Sequence, residues 1–351
     1  MGKRLMAFLQ ADDHVFVMNM PTGLVKGKRG QSVQLTDDEL IRLRDVGVRT
    51  VINYDFWAET ARNGDGYLDE MASQIQRLGM RCILMSYSQP PDGLPEEWYC
   101  RRADNALGRD RDGVPAMSIW NAEARAAIMA HLQGLIDSYG GDNLTVANAG
   151  CCAGELVLPR RWPCFYDAAA IASHAERVGG WPDPARQETL EWLTASVVEH
   201  LDALDGLLVA QHGEIWNAMH PLLALYHVGN GNGAQESVLA AECAKWPDAD
   251  RYLMQYTYWH HKRNDYKATI ARWLDTYNLK MIVEAAYCSG LSKTAPAAIS
   301  AGFRGQIVFP LSPHRRVRKL KQEHVDAIAA AIRLWSESDE VRKGEQREQD
   351  Q

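Results

Sequence analysis

Met281-Ile282-Val283-Glu284-Ala285-Ala286-Tyr287 is an apolar run interrupted by a single carboxylate, and a helix-like stretch, 266–276, precedes it. Residues 281–286 therefore read as a short buried strand carrying an acid at its C-terminal end. Working outward, runs of the same kind recur at 14–20, 48–54, 81–87, 144–148, 214–219, 252–258 and 306–311. That makes eight strands in all. Amphipathic stretches at 36–46, 67–78, 122–139, 186–204, 266–276 and 324–335 repeat apolar residues every three or four positions, which is helical spacing. The first of them opens Thr36-Asp37-Asp38-Glu39, an N-cap with negative charge over the free N–H groups of a first turn.

Eight strands alternating with helices predict a single α/β domain, a (β/α)8 TIM barrel, over residues 1–335. The Rossmann alternative lacks its main support, because no GxGxxG turn follows the first strand. The fifth strand has two possible positions: residues 214–219, which we prefer, or 207–211 at the end of a long helical stretch. Three long loops follow strands and so gather on the C-terminal face. They are 88–114 with Trp98, Tyr99, Arg101 and Arg102, the loop holding Arg160-Arg161-Trp162-Pro163, and the glycine-rich 229–233. Residues 336–351 are almost wholly polar and read as a disordered tail.

The chain has 351 residues, 46% of them hydrophobic, with a formal net charge of −7. An acidic balance argues against nucleic acid or an anionic membrane as the partner. No uncharged stretch reaches transmembrane length, and Asp12 and Asp13 cut short the apolar patch near Met1, so no signal peptide is expected. The expected location is the cytoplasm, or release by lysis. Seven cysteines, an odd number with no CxxC pair, fit reduced thiols. Neither HExxH nor an HxH after strand one occurs, so neither a metal nor a cofactor is expected. Oligomeric state is not legible.

Two glutamates stand out chemically. Burying the acid of 281–286 is costly unless something needs Glu284 there. In the other stretch, Ala147-Asn148-Ala149-Gly150-Cys151-Cys152-Ala153-Gly154-Glu155, a strand runs into small residues that allow a tight turn, and then into Glu155. Asp55 and Trp57 at the end of strand two, Asn148 on strand four, Asn217 and His220 near strand five, and Tyr256, Tyr258 and Trp259 near strand six are the candidate substrate contacts.

This order of elements resembles the large clan of retaining barrel glycosidases, with one glutamate after strand four and another after strand seven. The resemblance spans about residues 14 to 335. It implies that Glu284 is the nucleophile and Glu155 the general acid/base, and that Tyr256 or Tyr258 supports the nucleophile. Such carboxylates stand roughly 5–5.5 Å apart, against roughly 6.5–9.5 Å in inverting enzymes. Where the clan has an asparagine before the acid/base, this sequence has Gly154, and strand eight reads Phe309-Pro310-Leu311 where the clan often has a tryptophan. The expected function is O-glycoside hydrolysis on an oligo- or polysaccharide. The competing classes are a metal-dependent hydrolase on the same fold and a non-catalytic carbohydrate-binding or structural barrel.

Overall fold

The computed structural model describes residues 13–19, 35–57, 66–87, 91, 93–109, 115–141, 143–148, 164–212, 214–217, 240, 243–255, 265–277, 279, 281–311 and 319–349. Within them eight strands, all parallel, pair in sequence order: β1 (Val15–Asn19), β2 (Thr50–Phe56), β3 (Arg81–Tyr87), β4 (Leu144–Asn148), β5 (Glu214–Asn217), β6 (Asp250–Gln255), β7 (Met281–Tyr287) and β8 (Gly305–Phe309). β8 pairs with β1, and the sheet closes into a barrel. The eight-strand expectation holds.

The α-helices with both ends among the described residues are α1 (Asp37–Asp45), α2 (Gly66–Arg77), α3 (Ala122–Tyr139), α4 (Ala168–Arg177), α5 (Gln187–His212), α6 (Asp265–Thr276), α7 (Leu291–Ala301) and α8 (Gln322–Gln349). None is long and apolar enough to cross a membrane. The Thr36 cap forms as expected. Its hydroxyl accepts from Glu39 N–H at 3.3 Å, while the Glu39 carboxylate accepts from Thr36 N–H at 3.0 Å. The other Glu39 oxygen accepts from Leu320 N–H at 2.7 Å, which ties α1 to the approach of α8.

Successive side chains of a strand point to opposite faces, and here both faces are buried. Val15, Val17, Val51, Cys82, Leu84, Leu144, Val146 and Val308 share one apolar cluster with Leu40, Leu43 and Leu68 from the helices, so this phase faces outward. Their alternates Phe16, Met18, Ile52, Ile83, Met85, Ala147 and Ile307 are equally buried yet stand outside that cluster. They fill the lumen, which is a packed core and not a pore.

The N-terminal face is closed by a buried ion pair between Asp13 and Arg81 and by α8. Trp335 of that helix stacks on His14 at 6.1 Å, and His14 Nδ1 donates to the Arg304 carbonyl at 3.0 Å.

One open choice is settled and two expectations change. Residues 207–211 belong to α5, which runs to His212, so the fifth strand is the later, preferred segment. Residues from 336 onward, expected to be a disordered tail, continue α8 to Gln349. Arg342 there donates to the Ile299 and Phe303 carbonyls, and Lys343 pairs with Asp339, one turn away, at 2.7 Å. A polar composition did not prevent a helix whose Arg342 reaches two carbonyls at the end of α7. Finally, Glu284 is the fourth of the seven residues of β7, not its C-terminal end.

Candidate active site at the mouth of the barrel

In a (β/α)8 barrel the C-terminal ends of the strands carry the working groups. Counting upward in the lumen phase, the packed floor ends at Met18 and Met85, both buried. Above it stand Phe309, buried, and Tyr287, half-buried, as register partners, with ring centroids 5.7 Å apart and planes inclined by 46°. On the other side of the ring, Tyr54 pairs with Met85 and Phe56 with Tyr87. The upper lumen-phase positions of β2, β3, β7 and β8 are thus five aromatics: Tyr54, Phe56, Tyr87, Tyr287 and Phe309. None of them was chosen from the sequence.

The polar residues that were chosen occupy the opposite phase. Asp55 pairs with Ser86, Ser86 with Asn148, and Asn148 with Asn217, so one polar rung crosses β2 to β5. Ser86 alternates in step with Leu84 and Cys82, members of the helix-facing cluster. Glu284 pairs with Gln255 on one side and Gln306 on the other. Gln306 is fully buried, and its Oε1 accepts from Trp335 Nε1 of α8 at 3.4 Å, which marks that rung as helix-facing too. Asn19 and Asn53 extend this outer polar belt. Asn19 Oδ1 accepts from Leu35 N–H at 2.8 Å, and Asn53 Nδ2 donates to Cys82 Sγ at 3.2 Å. The belt is incompletely satisfied, because Asn19 Nδ2, Asn53 Oδ1 and Gln306 Nε2 are buried without a partner.

Of the remaining sequence candidates, Trp57 is half-buried and stacks on His131 of α3, with centroids 4.8 Å apart and planes 13° apart. Glu155, His220, Tyr256, Tyr258 and Trp259 lie outside the described residues.

The loop after β3 is built onto the segment after β4. Tyr166 N–H donates to the Arg101 carbonyl at 3.0 Å, and Ser118 Oγ donates to Asp167 Oδ1 at 2.9 Å. The same Asp167 oxygen accepts from Ala170 N–H and caps α4. Burial raises the Asp167 carboxyl above its ordinary value, and these donors partly offset it. Cys100, Ala116 and Cys164 fill the space between the two segments. Cys288, immediately after Tyr287, is buried, and burial pushes its thiol up to about 12, so it is neutral and unreactive near pH 7. Among the described residues no three His, Cys, Asp or Glu side chains converge on a metal-sized site.

No family model matches the chain, and no curated protein sequence matches it. Solved structures do resemble it. A β-glucosidase from Thermotoga maritima in complex with a substituted glucoimidazole superposes over 85% of this chain and 86% of its own, at 8% identity and a TM-score of 0.49. A 3-keto-D-glucoside 4-epimerase from E. coli superposes over 90% and 98%, at 11% identity and a TM-score of 0.45. A glycoside hydrolase family 30 xylanase from Clostridium acetobutylicum superposes over 90% and 70%, at 12% identity and a TM-score of 0.46. The barrel assignment rests on the closed ring of eight paired strands itself.

Proposed function

We propose that this chain is a carbohydrate-processing enzyme that works at the aromatic mouth of its barrel. The observation that carries the reading is the set of five aromatics on the upper lumen-phase positions, with Tyr287 half-buried beside Phe309. A sugar ring is amphipathic. Its C–H faces lie against aromatic faces, while its hydroxyls need polar groups from the surrounding loops.

Within that class the reaction to test first is O-glycoside hydrolysis with retention, by similarity to the barrel glycosidases. In that mechanism the Glu284 carboxylate attacks the anomeric carbon as Glu155 protonates the leaving oxygen. Water, deprotonated by Glu155, then releases the sugar from Glu284.

A second reading is favoured by the register, which sets Glu284 on a helix-facing rung between Gln255 and Gln306. Here Glu284 is a structural carboxylate of the outer polar belt, and other groups at the mouth act on the sugar.

One experiment separates the two. Wild-type protein is screened on aryl glycosides and glycans, with the anomeric outcome read by proton NMR, and Glu284→Gln is then assayed beside a melting curve. Loss of turnover at an unchanged Tm supports the nucleophile, with Glu155→Ala rescued by azide. A lowered Tm with turnover per folded molecule retained supports the structural reading. Absence of turnover on every glycoside overturns the hydrolytic assignment.

A further inference from the structure

Outside the mouth, one feature is built as though to be touched. Trp181 is 60% exposed, and among the described residues it is the single aromatic among the large exposed hydrophobics. The others are Leu334 and Val341, both on α8.

Its place in the fold puts it on the mouth side. α5 leads from its C-terminus at His212 into β5 at the N-terminal face, so it runs downward from the mouth. Its 26 residues span about 39 Å, while the four residues of β5 span about 13 Å. The start of α5 therefore overhangs the mouth. Trp192, near that start, stacks at 5.0 Å on Trp120, which just precedes the downward-running α3. Trp181 lies in the turn between α4 and α5, on the same rim.

The indole is held in place. One face stacks on Tyr166, with centroids 5.8 Å apart and planes 27° apart, and Tyr166 in turn stacks on Phe165. Gly179 and Gly180 adopt φ of 96° and 72°, a left-handed conformation that strains any residue with a β-carbon. Below them His174, fully buried, bridges the turn. Its Nδ1 lies 3.1 Å from the Gly180 carbonyl and its Nε2 2.9 Å from Thr189 Oγ1. A carbonyl can only accept, so Nδ1 carries the proton and Nε2 accepts from the threonine hydroxyl. That hydroxyl oxygen accepts from Asp183 N–H at 3.3 Å, and the chain of bonds closes with every member satisfied. A buried histidine and threonine are thus committed to holding an exposed tryptophan still, which is the mark of a preorganised contact.

The patch is one ring wide. A single indole presents roughly 150–250 Å², well short of the roughly 800 Å² per partner of a stable protein interface. The residues that follow it, Asp183, Arg186, Gln187 and Glu188, are polar and exposed, and suited to hydroxyl groups.

We infer that Trp181 is the platform of a second carbohydrate site, taking one sugar unit of a chain whose other units reach the mouth. This rests on reading the mouth as a carbohydrate site, and the test tells the two apart. The probes are six soluble polysaccharides (β-glucan, xylan, glucomannan, galactomannan, pectin and amylopectin), each cast into a native gel in which mobility reports binding without turnover. Wild-type protein is retarded by at least one. In that gel Trp181→Ala loses fivefold or more in association constant at an unchanged Tm, and Trp181→Tyr keeps most of it. Equal retardation of wild type and Trp181→Ala overturns the inference, as does the absence of retardation in all six gels. Tyr287→Ala is run alongside. Loss with Trp181→Ala and none with Tyr287→Ala leaves the platform standing and removes the mouth, and the reverse pattern removes the platform.

Discussion

Tyr287 and Phe309 close the same rung of the β7–β8 ladder, their rings tilted together at 5.7 Å above a packed lumen that includes Phe16, Met18, Ile52 and Met85. A stacking contact of this kind is worth about 0.5–1.5 kcal/mol beyond its buried area, a factor of roughly two to ten in affinity. Tyr287→Ala is expected to raise KM for a sugar substrate by that factor, and Tyr287→Phe to keep most of the binding. A Tyr287→Ala protein with wild-type KM on every substrate would remove the ring from the site.

His200 predicts how the protein responds to acid. It is buried on α5 with Nδ1 unpartnered, and burial first, then the charge of Arg125, lowers its pKa from 6.5 to about 4. The folded state therefore binds fewer protons than the unfolded chain between those values. Its contribution is present above pH 6.5 and drains away as the pH falls toward 4, by up to roughly 3 kcal/mol. Urea unfolding at pH 7 and pH 4.5 should show a smaller loss for His200→Leu than for wild type. Equal losses would mean that His200 is hydrated or already protonated.

Thiol chemistry reads the packing directly. Burial pushes Cys82 and Cys288 up to about 12, Cys164 to about 11, and Cys100 well above its ordinary value. Cys243 is half-buried. With iodoacetamide at pH 8, the folded protein should label at Cys243 at least a hundredfold faster than at Cys82 or Cys288, and urea should erase the difference. Rapid native labelling of Cys288, followed by peptide mass spectrometry, would show that its thiol opens into the mouth.

Gly108 sits between two of those cysteines. A β-carbon built on it would meet Cys164 Cβ at 2.9 Å and Cys100 Cβ at 3.2 Å, closer than such atoms pack. Gly108→Ala should cost about 1–3 kcal/mol, seen as a lower Tm. The loop after β3 should then exchange amide hydrogens faster, while the β1–β8 ladder is unaffected. An unchanged Tm would show that the contact relaxes freely.

The sequence made the barrel legible because strands buried on both faces are short apolar runs, and eight of them alternate with helical spacing. The same property hid the strand phase. In a strand apolar at nearly every position, alternation no longer says which phase is the lumen, and only the polar letters, Asp55, Asn148, Asn217 and Glu284, stand out. By register those four positions share the strand phase of Leu84, Val146 and Gln306, while the alternate phase of β7 and β8 ends in Tyr287 and Phe309. The switch from helix to strand near 207–214 was placed correctly, because α5 keeps its spacing through Leu208. The extension of α8 was missed, since nothing local says that Arg342 will find the Ile299 and Phe303 carbonyls.

The pairing of β8 with β1 also has a consequence during synthesis. His14 and the Arg304 carbonyl it bonds are 290 residues apart, an interval that takes about 15–60 s to translate at ordinary ribosomal rates. Through that time β1 has β2 on one flank and nothing of its own chain for the other. An unsatisfied strand edge is a template for foreign strands. The newborn chain is therefore most exposed to aggregation before Phe309 leaves the ribosome, and a chaperone that shields β1 would raise the yield of folded protein without touching its final stability.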